Sequence, residues 1–372
     1  MADAHDLRFM QHALTLAGKA VGLASPNPPV GCLIVKDGAI LGEGFHQYDL
    51  RDHAEVIALK QAGGRARGAT LYVTLEPCNV TGRTGPCSEA VIAAGVSRVV
   101  AAMEDANPKV SGSGLARLRE AGIAVESGVQ EEEARKLNEA FSYWITTHRP
   151  LVTLKSALTL DGQLALPGKS AKRLRTGAKR EWISSEESRA EVHRLRHASD
   201  ALLTGIGTIL SDDPLLTDRS GLPRRRRLLR VILDSRLRIS PQMRIVKTAE
   251  EDLLVFTGAS LKTGKARKLK DLGVELVRGK VSKGKIDLNA VMKELGLREI
   301  QSVLLEAGPT LNAAALASRN AHNLILFYTP KIAGESRAPF SRGAVGELPA
   351  LRIRRFAAFG PDLMVEASLA AK

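Results

Sequence analysis

Apolar and polar positions divide the chain into two series of alternating elements. Over residues 9–20 the apolar residues recur at helical spacing, which predicts an amphipathic helix. A stiff loop, Ser25-Pro26-Asn27-Pro28-Pro29-Val30-Gly31, leads into the apolar run 32–35, a turn at Asp37-Gly38 and Ile40-Leu41, which together read as a hairpin with Cys32 in its core face. The period then alternates: helix 53–62, strand 69–75, helix 88–94, strand 98–103, helix 115–121, strand 123–126 and one last helix over 131–148. This order predicts an α/β layered domain. Arg149-Pro150 closes it, because a residue before proline is driven out of helical backbone, and residues 1–148 are assigned to a first domain and 149–372 to a second.

The second series opens with a strand-like run over 151–160 that contains Lys155, followed by a turn at Asp161-Gly162. Next comes a basic stretch, Lys169, Lys172, Arg173, Arg175, Lys179 and Arg180 with Ser, Gly and Thr between them, which reads as a solvated loop. Helix 186–197 and strands 201–204, 228–234, 253–257, 274–277 and 323–328 follow, with the Ala-rich tail from Ala367 expected to fray. Gly205-Ile206-Gly207-Thr208 lacks the third glycine of a dinucleotide fingerprint and is a weak signal. The run 302–311 is stronger: a buried-strand pattern ends in Gly308 and enters a helix with Pro309 in its first turn. The N–H groups of such a terminus can hold a phosphate or pyrophosphate; a plain strand-to-helix turn is the alternative.

At 372 residues the chain exceeds one ordinary core, in keeping with two domains. Three cysteines point to a reducing compartment, and the absence of a signal-like start or a long apolar span predicts a soluble cytoplasmic protein. The net charge of +14 raises the question of a nucleic-acid partner. Its distribution argues against one. Residues 1–148 carry 14 Lys plus Arg against 17 Asp plus Glu, a net of −3, so the remainder carries +17.

The candidate chemistry lies in the acidic half. His53, Cys78 and Cys87 offer an imidazole and two thiolates, and Glu55 stands two residues after the histidine at the start of a helix. Such a set binds zinc with one position left open for water, and the carboxylate can shuttle that water's protons. His-x-Glu followed by Pro-Cys-x-x-Cys marks the zinc nucleobase deaminases. Here Pro77-Cys78 and Pro86-Cys87 are separated by eight residues between the cysteines rather than the short spacer of that signature. Alternatively, His53 caps its helix and the cysteines are buried thiols. A structural zinc would require a fourth protein ligand, for which His46 is the nearest candidate.

Beyond this signature, SPNPPVG at 25–31, HAE at 53–55, TLEPCNVTGRTGPC at 74–87, TLDG at 159–162, GTILSDDPLLT at 207–217 and EAGPTL at 306–311 follow in one order. With them the whole chain resembles the bifunctional riboflavin-biosynthesis deaminase-reductase family. The resemblance implies an α/β fold of two domains: a cytidine-deaminase-like three-layer domain and a dihydrofolate-reductase-like domain. It implies His53, Cys78 and Cys87 as Zn2+ ligands, Glu55 as proton carrier and Asn27 as a substrate contact. The implied substrate is a diaminopyrimidinone bearing a phosphoribosylamino group, deaminated first and then reduced by NADPH. Leu158, Trp182, Thr208, Asp212, Ser235, Gly308, Pro309, Thr310 and Leu311 would line the NADPH site, with Trp182 stacking near the nicotinamide. Ser170, Arg196, Leu216, Arg219 and Glu306 would contact the substrate, the arginines suiting its phosphate. A homo-oligomer formed through the reductase domain is also implied, with no nucleic-acid or membrane partner.

One departure stands out. Gly168-Lys169-Ser170 is followed by eleven residues, 171–181, before Trp182, where the family has a far shorter spacer. Either Ser170 is displaced or the insert loops out as a lid, so a chain active only as a deaminase is one alternative. Two others are a nucleoside or tRNA deaminase with a basic appendage, and an RNA-binding module with a structural zinc. The first calls for a short cysteine spacer and positive charge around the zinc. The second calls for aromatic residues among the basic ones, yet aromatics are only 4% of the chain.

Overall fold

Where a helix must lie directly against a strand's backbone, glycine is the residue that permits it, and three glycines set the first layers here. The computed structural model describes residues 3–164, 182–334, 338–343 and 350–369. Ser170 and the basic stretch 169–180 lie outside the described residues. The chain divides into two compact units, Met1–His148 with Pro223–Arg226, and Arg149–Leu222 with Arg227–Lys372.

The first unit runs α1 (Ala4–Lys19), β1 (Gly31–Lys36), β2 (Ala39–Phe45), α2 (Ala54–Ala62), β3 (Thr70–Val73), α3 (Cys87–Ala93), β4 (Arg98–Ala101), α4 (Ser113–Glu120), β5 (Ala124–Ser127), α5 (Glu131–Leu137) and α6 (Glu139–Thr147). Its sheet has the order β2-β1-β3-β4-β5, antiparallel through β2, β1 and β3 and parallel from β3 to β5. Cys32, Leu33, Ile34, Leu71 and Val99 are fully buried in a core shared with Met10, Leu115 and Leu118. A Cβ on Gly31 would stand 2.1 Å from the Ala13 carbonyl oxygen of α1. On Gly42 and Gly44 it would stand 2.1 Å from Ala58 O and 2.4 Å from Ala54 O of α2. Helix α2 therefore rests on the hairpin backbone itself.

The single helix expected over 131–148 is two. Buried Asn138 sits between α5 and α6, and its side-chain amide donates to Ala134 O at 3.2 Å, the kind of local bond by which asparagine competes with a helix.

The second unit runs β6 (Leu151–Thr159), α7 (Glu186–His197), β7 (Ala201–Gly205), α8 (Ile206–Asp212), β8 (Leu229–Leu233), α9 (Arg244–Lys247), β9 (Leu253–Thr257), α10 (Gly264–Asp271), β10 (Val274–Arg278), the small pair β11 (Val281–Ser282) and β12 (Lys285–Ile286), α11 (Leu288–Leu297), β13 (Ser302–Leu305), α12 (Pro309–Ala317), β14 (Asn323–Thr329), β15 (Leu351–Phe359) and β16 (Asp362–Leu369). Its large sheet has the order β10-β9-β8-β7-β13-β6-β14-β16-β15, parallel from β10 to β14 and antiparallel beyond. Strands covered on both faces read as continuous apolar runs, as in Leu253–Thr257, buried throughout. The tail does not fray at Ala367. That residue is buried in β16, paired with Leu324 and Ile353, because the strand is held on both sides.

Replacing Gly44 by Ala should lower the thermal midpoint by roughly 4–10 °C, the effect of about 1–3 kcal/mol of overpacking in a domain of this size. Gly64→Ala, where a Cβ meets nothing within 4 Å, is the control and should not lower it; both are read by calorimetry.

Candidate active sites

In the first unit the metal-binding side chains come from three backbone positions. His53 is the N-cap residue of α2 but makes no side-chain cap bond, so its ring is free to turn toward the cysteines. Its Nδ1 lies 3.1 Å from Cys87 Sγ and 3.6 Å from Cys78 Sγ, and the three ligand atoms fall within 4.8 Å of one another. Tetrahedral zinc with ordinary bond lengths separates such ligands by about 3.6–3.8 Å, so the set fits the ion. Cys87 opens α3 and its backbone N–H points at Cys78 Sγ at 3.5 Å. The Cys78 thiol is drawn down to about 4, first by the hydrogen bond from Cys87 and then by His53.

Among the described residues this trio is the group that could hold a metal, and His46 is not part of it. His46 stands edge-on to His53, with Nδ1 3.1 Å from Asp52 O and Nε2 3.0 Å from Asn27 Nδ2. Burial, and then the His53 charge, push its pKa down to about 4, so the ring is neutral. It donates from Nδ1 to the Asp52 carbonyl and accepts the Asn27 amide at Nε2. The three-ligand set leaves a fourth position open, as a catalytic zinc requires. Glu55 is buried beside the set, and burial raises its carboxyl above the usual range.

Glu76, which the sequence reading left unassigned, holds this corner together. Oε1 accepts from Gly114 N at 2.8 Å and Leu115 N at 3.2 Å, and Oε2 from Gly112 N at 2.9 Å and Asp105 N at 3.0 Å. Gly114 is forced by the same contact, since a Cβ there would stand 1.9 Å from Pro77 O. The Glu within TLEPC, two residues before a ligand, was the available signal.

In the second unit a cavity of ≈ 1000 Å³ opens along β6, β7, β8 and β13. Thr208, Asp212, Ser235, Trp182 and the turn Gly308, Pro309, Thr310, Leu311 line it, as do Arg196, Leu216, Arg219 and Glu306. Leu158 is buried in β6 and is not among the lining residues, whereas Lys155, Ser156 and Ala157 of the same strand are. Ser170 lies outside the described residues.

At the floor of the cavity Arg196 grips Glu306 with both ends of its guanidinium, Nε to Oε1 at 2.7 Å and Nη2 to Oε2 at 3.0 Å. Its Nη1 donates to Thr217 O at 3.0 Å, and Lys155 Nζ lies 3.8 Å from Glu306 Oε2. Burial alone would raise the Glu306 carboxyl, but Arg196 and Lys155 outweigh it and hold the group at about 2. Lys155, a second residue left unassigned by sequence, has its pKa lowered by burial against the pull of Glu306. Gly308 caps α12 without a side-chain bond, and the turn from Gly308 to Leu311 lines the cavity.

Comparison with known proteins agrees with this division. Residues 150–365 match the model of the RibD C-terminal domain, and residues 3–103 that of the cytidine and deoxycytidylate deaminase zinc-binding region. The riboflavin biosynthesis protein RibD of Aquifex aeolicus is 42% identical over 97% of both chains, and that of Escherichia coli is 39% identical over 96% of this chain and 98% of its own. The chain belongs to the RibD family. Solved RibD-family structures share its fold over nearly the full length: Acinetobacter baumannii RibD at a TM-score of 0.86 and 35% identity, covering 99% of each chain, and the Thermotoga maritima deaminase/reductase at 0.83 and 36%, covering 98% and 99%. This RibD-family chain is thus a bifunctional deaminase and reductase of riboflavin biosynthesis, with zinc and NADPH as the cofactors of its two domains. The readings as a tRNA deaminase with an appendage, or as an RNA-binding module, fall with that membership.

Acid should expose the Glu306 cluster. A carboxylate held at about 2 against an ordinary 4.5 stabilises the native state above about pH 4.5 and loses that contribution as pH falls toward 2. In urea unfolding followed against pH, the gap between wild type and Glu306→Gln should narrow by on the order of 3 kcal/mol across that window.

Proposed function

We propose that the first domain removes the amino group of 2,5-diamino-6-(5-phosphoribosylamino)pyrimidin-4(3H)-one as ammonia. The second then reduces the ring-opened ribosyl chain of the product with NADPH, giving 5-amino-6-(5-phosphoribitylamino)uracil. The observation that carries this reading is the pairing, in one chain, of an open three-ligand zinc set beside buried Glu55 with a cavity floored by Lys155, Glu306 and Arg196. The Thermotoga maritima relative is named for the same two activities.

Bound zinc would make a water molecule acidic enough to attack near neutral pH. Glu55 takes a proton from the attacking water as its oxygen bonds to the amino-bearing ring carbon and passes it to the adjacent ring nitrogen; it then carries the remaining hydroxyl proton to the amino nitrogen as the C–N bond breaks and the carbonyl forms. Asn27 presents its amide to the pyrimidine, and neutral His46 fixes that amide through Nε2. In the second domain NADPH, when bound, would supply the hydride to the carbonyl carbon. The carbonyl oxygen then needs a proton, and Lys155 is the buried cation in the cavity that can give it. Glu306 holds Lys155 and Arg196 in place. Thr208, Asp212, Ser235 and the turn from Gly308 take the cofactor, with Trp182 at its nicotinamide end, while Leu216 and Arg219 take the substrate.

We further infer that copies of the chain pair through the reductase domain. Edge strand β15 leaves Leu351, Ile353 and Phe356 exposed, and an apolar unpaired edge is a surface built for association. A reducing cytoplasmic setting suits the three free cysteines, and among the described residues no helix is long and apolar enough to cross a membrane.

Ammonia release and NADPH oxidation, followed separately, test the two halves. Glu55→Gln should cut ammonia release by about 10²–10⁴-fold while still oxidising NADPH when supplied with the deaminated intermediate. Loss of both from a zinc-loaded, folded variant would refute separate sites. Phe356→Asp should shift the light-scattering mass of the chain toward the monomer.

A further inference from the structure

Four cationic side chains gather at the substrate end of the reductase cavity, and their acidic partners are unevenly shared. Arg196 and Lys155 both use Glu306, the one carboxylate that lines this end among the described residues. Asp218 is engaged by His197 Nδ1 at 3.1 Å and by Ser220 N at 2.9 Å. Arg219 and Arg244 line the same cavity, and among the described residues no carboxylate pairs with either. The Arg219 guanidinium is pushed down by burial and then by the charges of Arg196 and Arg244, so the nearby groups it feels are cations.

The backbone ties Arg244 to this place. Its N–H, at the start of α9, donates to Asp213 Oδ1 at 2.9 Å. Asp213 has φ 40° and Leu216 φ 55°, so the loop between α8 and Arg219 holds two residues in left-handed backbone, a cost that surrounding contacts must offset. The buried Arg230 secures the loop from below, donating to Leu215 O at 3.1 Å. Arg219 and Arg244 are thereby clipped to one rigid frame with their charges unneutralised.

Two such arginines facing one space call for an anion. The sequence resemblance gives both Arg196 and Arg219 to the substrate's phosphate, yet Glu306 and the Thr217 carbonyl already take three of the N–H groups of Arg196, and Glu306 balances one of the two charges of Arg196 and Lys155. A phosphate dianion at this end needs other cations. We propose that Arg244 is a substrate-binding residue of the reductase domain, closing with Arg219 on the phosphate of the phosphoribosyl chain. Arg196 also fixes Glu306 and the Thr217 loop beside them. This rests on the reading above, in which the cavity takes a phosphorylated sugar chain.

The test compares the deaminated intermediate with and without its phosphate in the full-length, zinc-loaded enzyme. Arg244→Ala should raise KM for the phosphorylated intermediate by about 10–100-fold, with kcat within about 2-fold and KM for NADPH unchanged. Arg244→Lys should recover part of the loss. The dephosphorylated intermediate should be turned over alike by wild type and Arg244→Ala, which also shows that the variant is folded. The proposal is overturned if KM rises equally for both intermediates, if KM for NADPH moves instead, or if nothing changes. A wild-type enzyme that reduces neither intermediate would overturn the reading of the cavity itself, and this inference with it.

Discussion

The deaminase site depends on the backbone contact between α2 and the β1–β2 hairpin. Gly42 and Gly44 let the Ala58 and Ala54 carbonyls of the helix come to where a Cβ would otherwise stand, so the helix start cannot drift. His53 precedes that start directly, and a shift of a fraction of an ångström there would break a ligand set spanning less than 5 Å. The cysteine side is fixed by a different means. Glu76 gathers four amide N–H groups, from the β4–α4 loop and the first turn of α4, around one carboxylate, and Pro77 and Cys78 follow it in sequence. Charge-assisted bonds of this kind are short and directional, so both sides of the metal site are set by backbone geometry more than by side-chain packing.

Glu55 and Glu306 show how surroundings assign a role to one side-chain type. Glu55 has burial as the largest influence on it, and its carboxyl is raised, a condition suited to gaining and losing a proton. Glu306 lies half-buried in its cavity, but two cations touch it and it is held near 2, where it stays an anion at any working pH. The first suits a carrier and the second a fixed counter-charge. The difference comes from topology: Glu306 follows β13, which lies beside β6 with Lys155, and helix α7 brings Arg196 to the same point.

Much of this was legible in the sequence. The strand 253–257 and the helix 186–197 match the structure because their apolar periods are clean and their ends carry breakers or a capping Ser185. His53, Glu55, Cys78 and Cys87 were legible because few other roles require those residue types in that order. The break at Asn138 was not, since it depends on a side-chain bond within a region of unbroken helical period. Strand β15 went unread because almost every residue is exposed, so no alternation marks it. Lys155 lies inside a strand-like run and Glu76 just after one, and only the fold reveals that one carboxylate or four amides meet them. Membership in a motif also does not say which donors of Arg196 are already engaged, and that Glu306 and Thr217 O take three of them is visible only in the fold.

The fold also resolves the charge asymmetry. A basic half with an excess of +17 suggests a polyanion, but among the described residues several of those cations are paired within the fold and others line the cavity. Arg230 with Asp252, and Arg298 with Glu275 and Glu294, are paired and serve the fold. Arg236 and Arg238, like Arg219 and Arg244, line the cavity and have no carboxylate partner among the described residues. Nucleic acid would be met by cations spread over an open face with aromatic residues between them. Cations concentrated inside a concave site instead select small ligands that carry several phosphates, and NADPH together with a phosphoribosyl substrate is such a set. Part of the excess charge thus lines the reductase cavity, while the residues before 149, which hold the zinc ligands, carry a slight acidic excess.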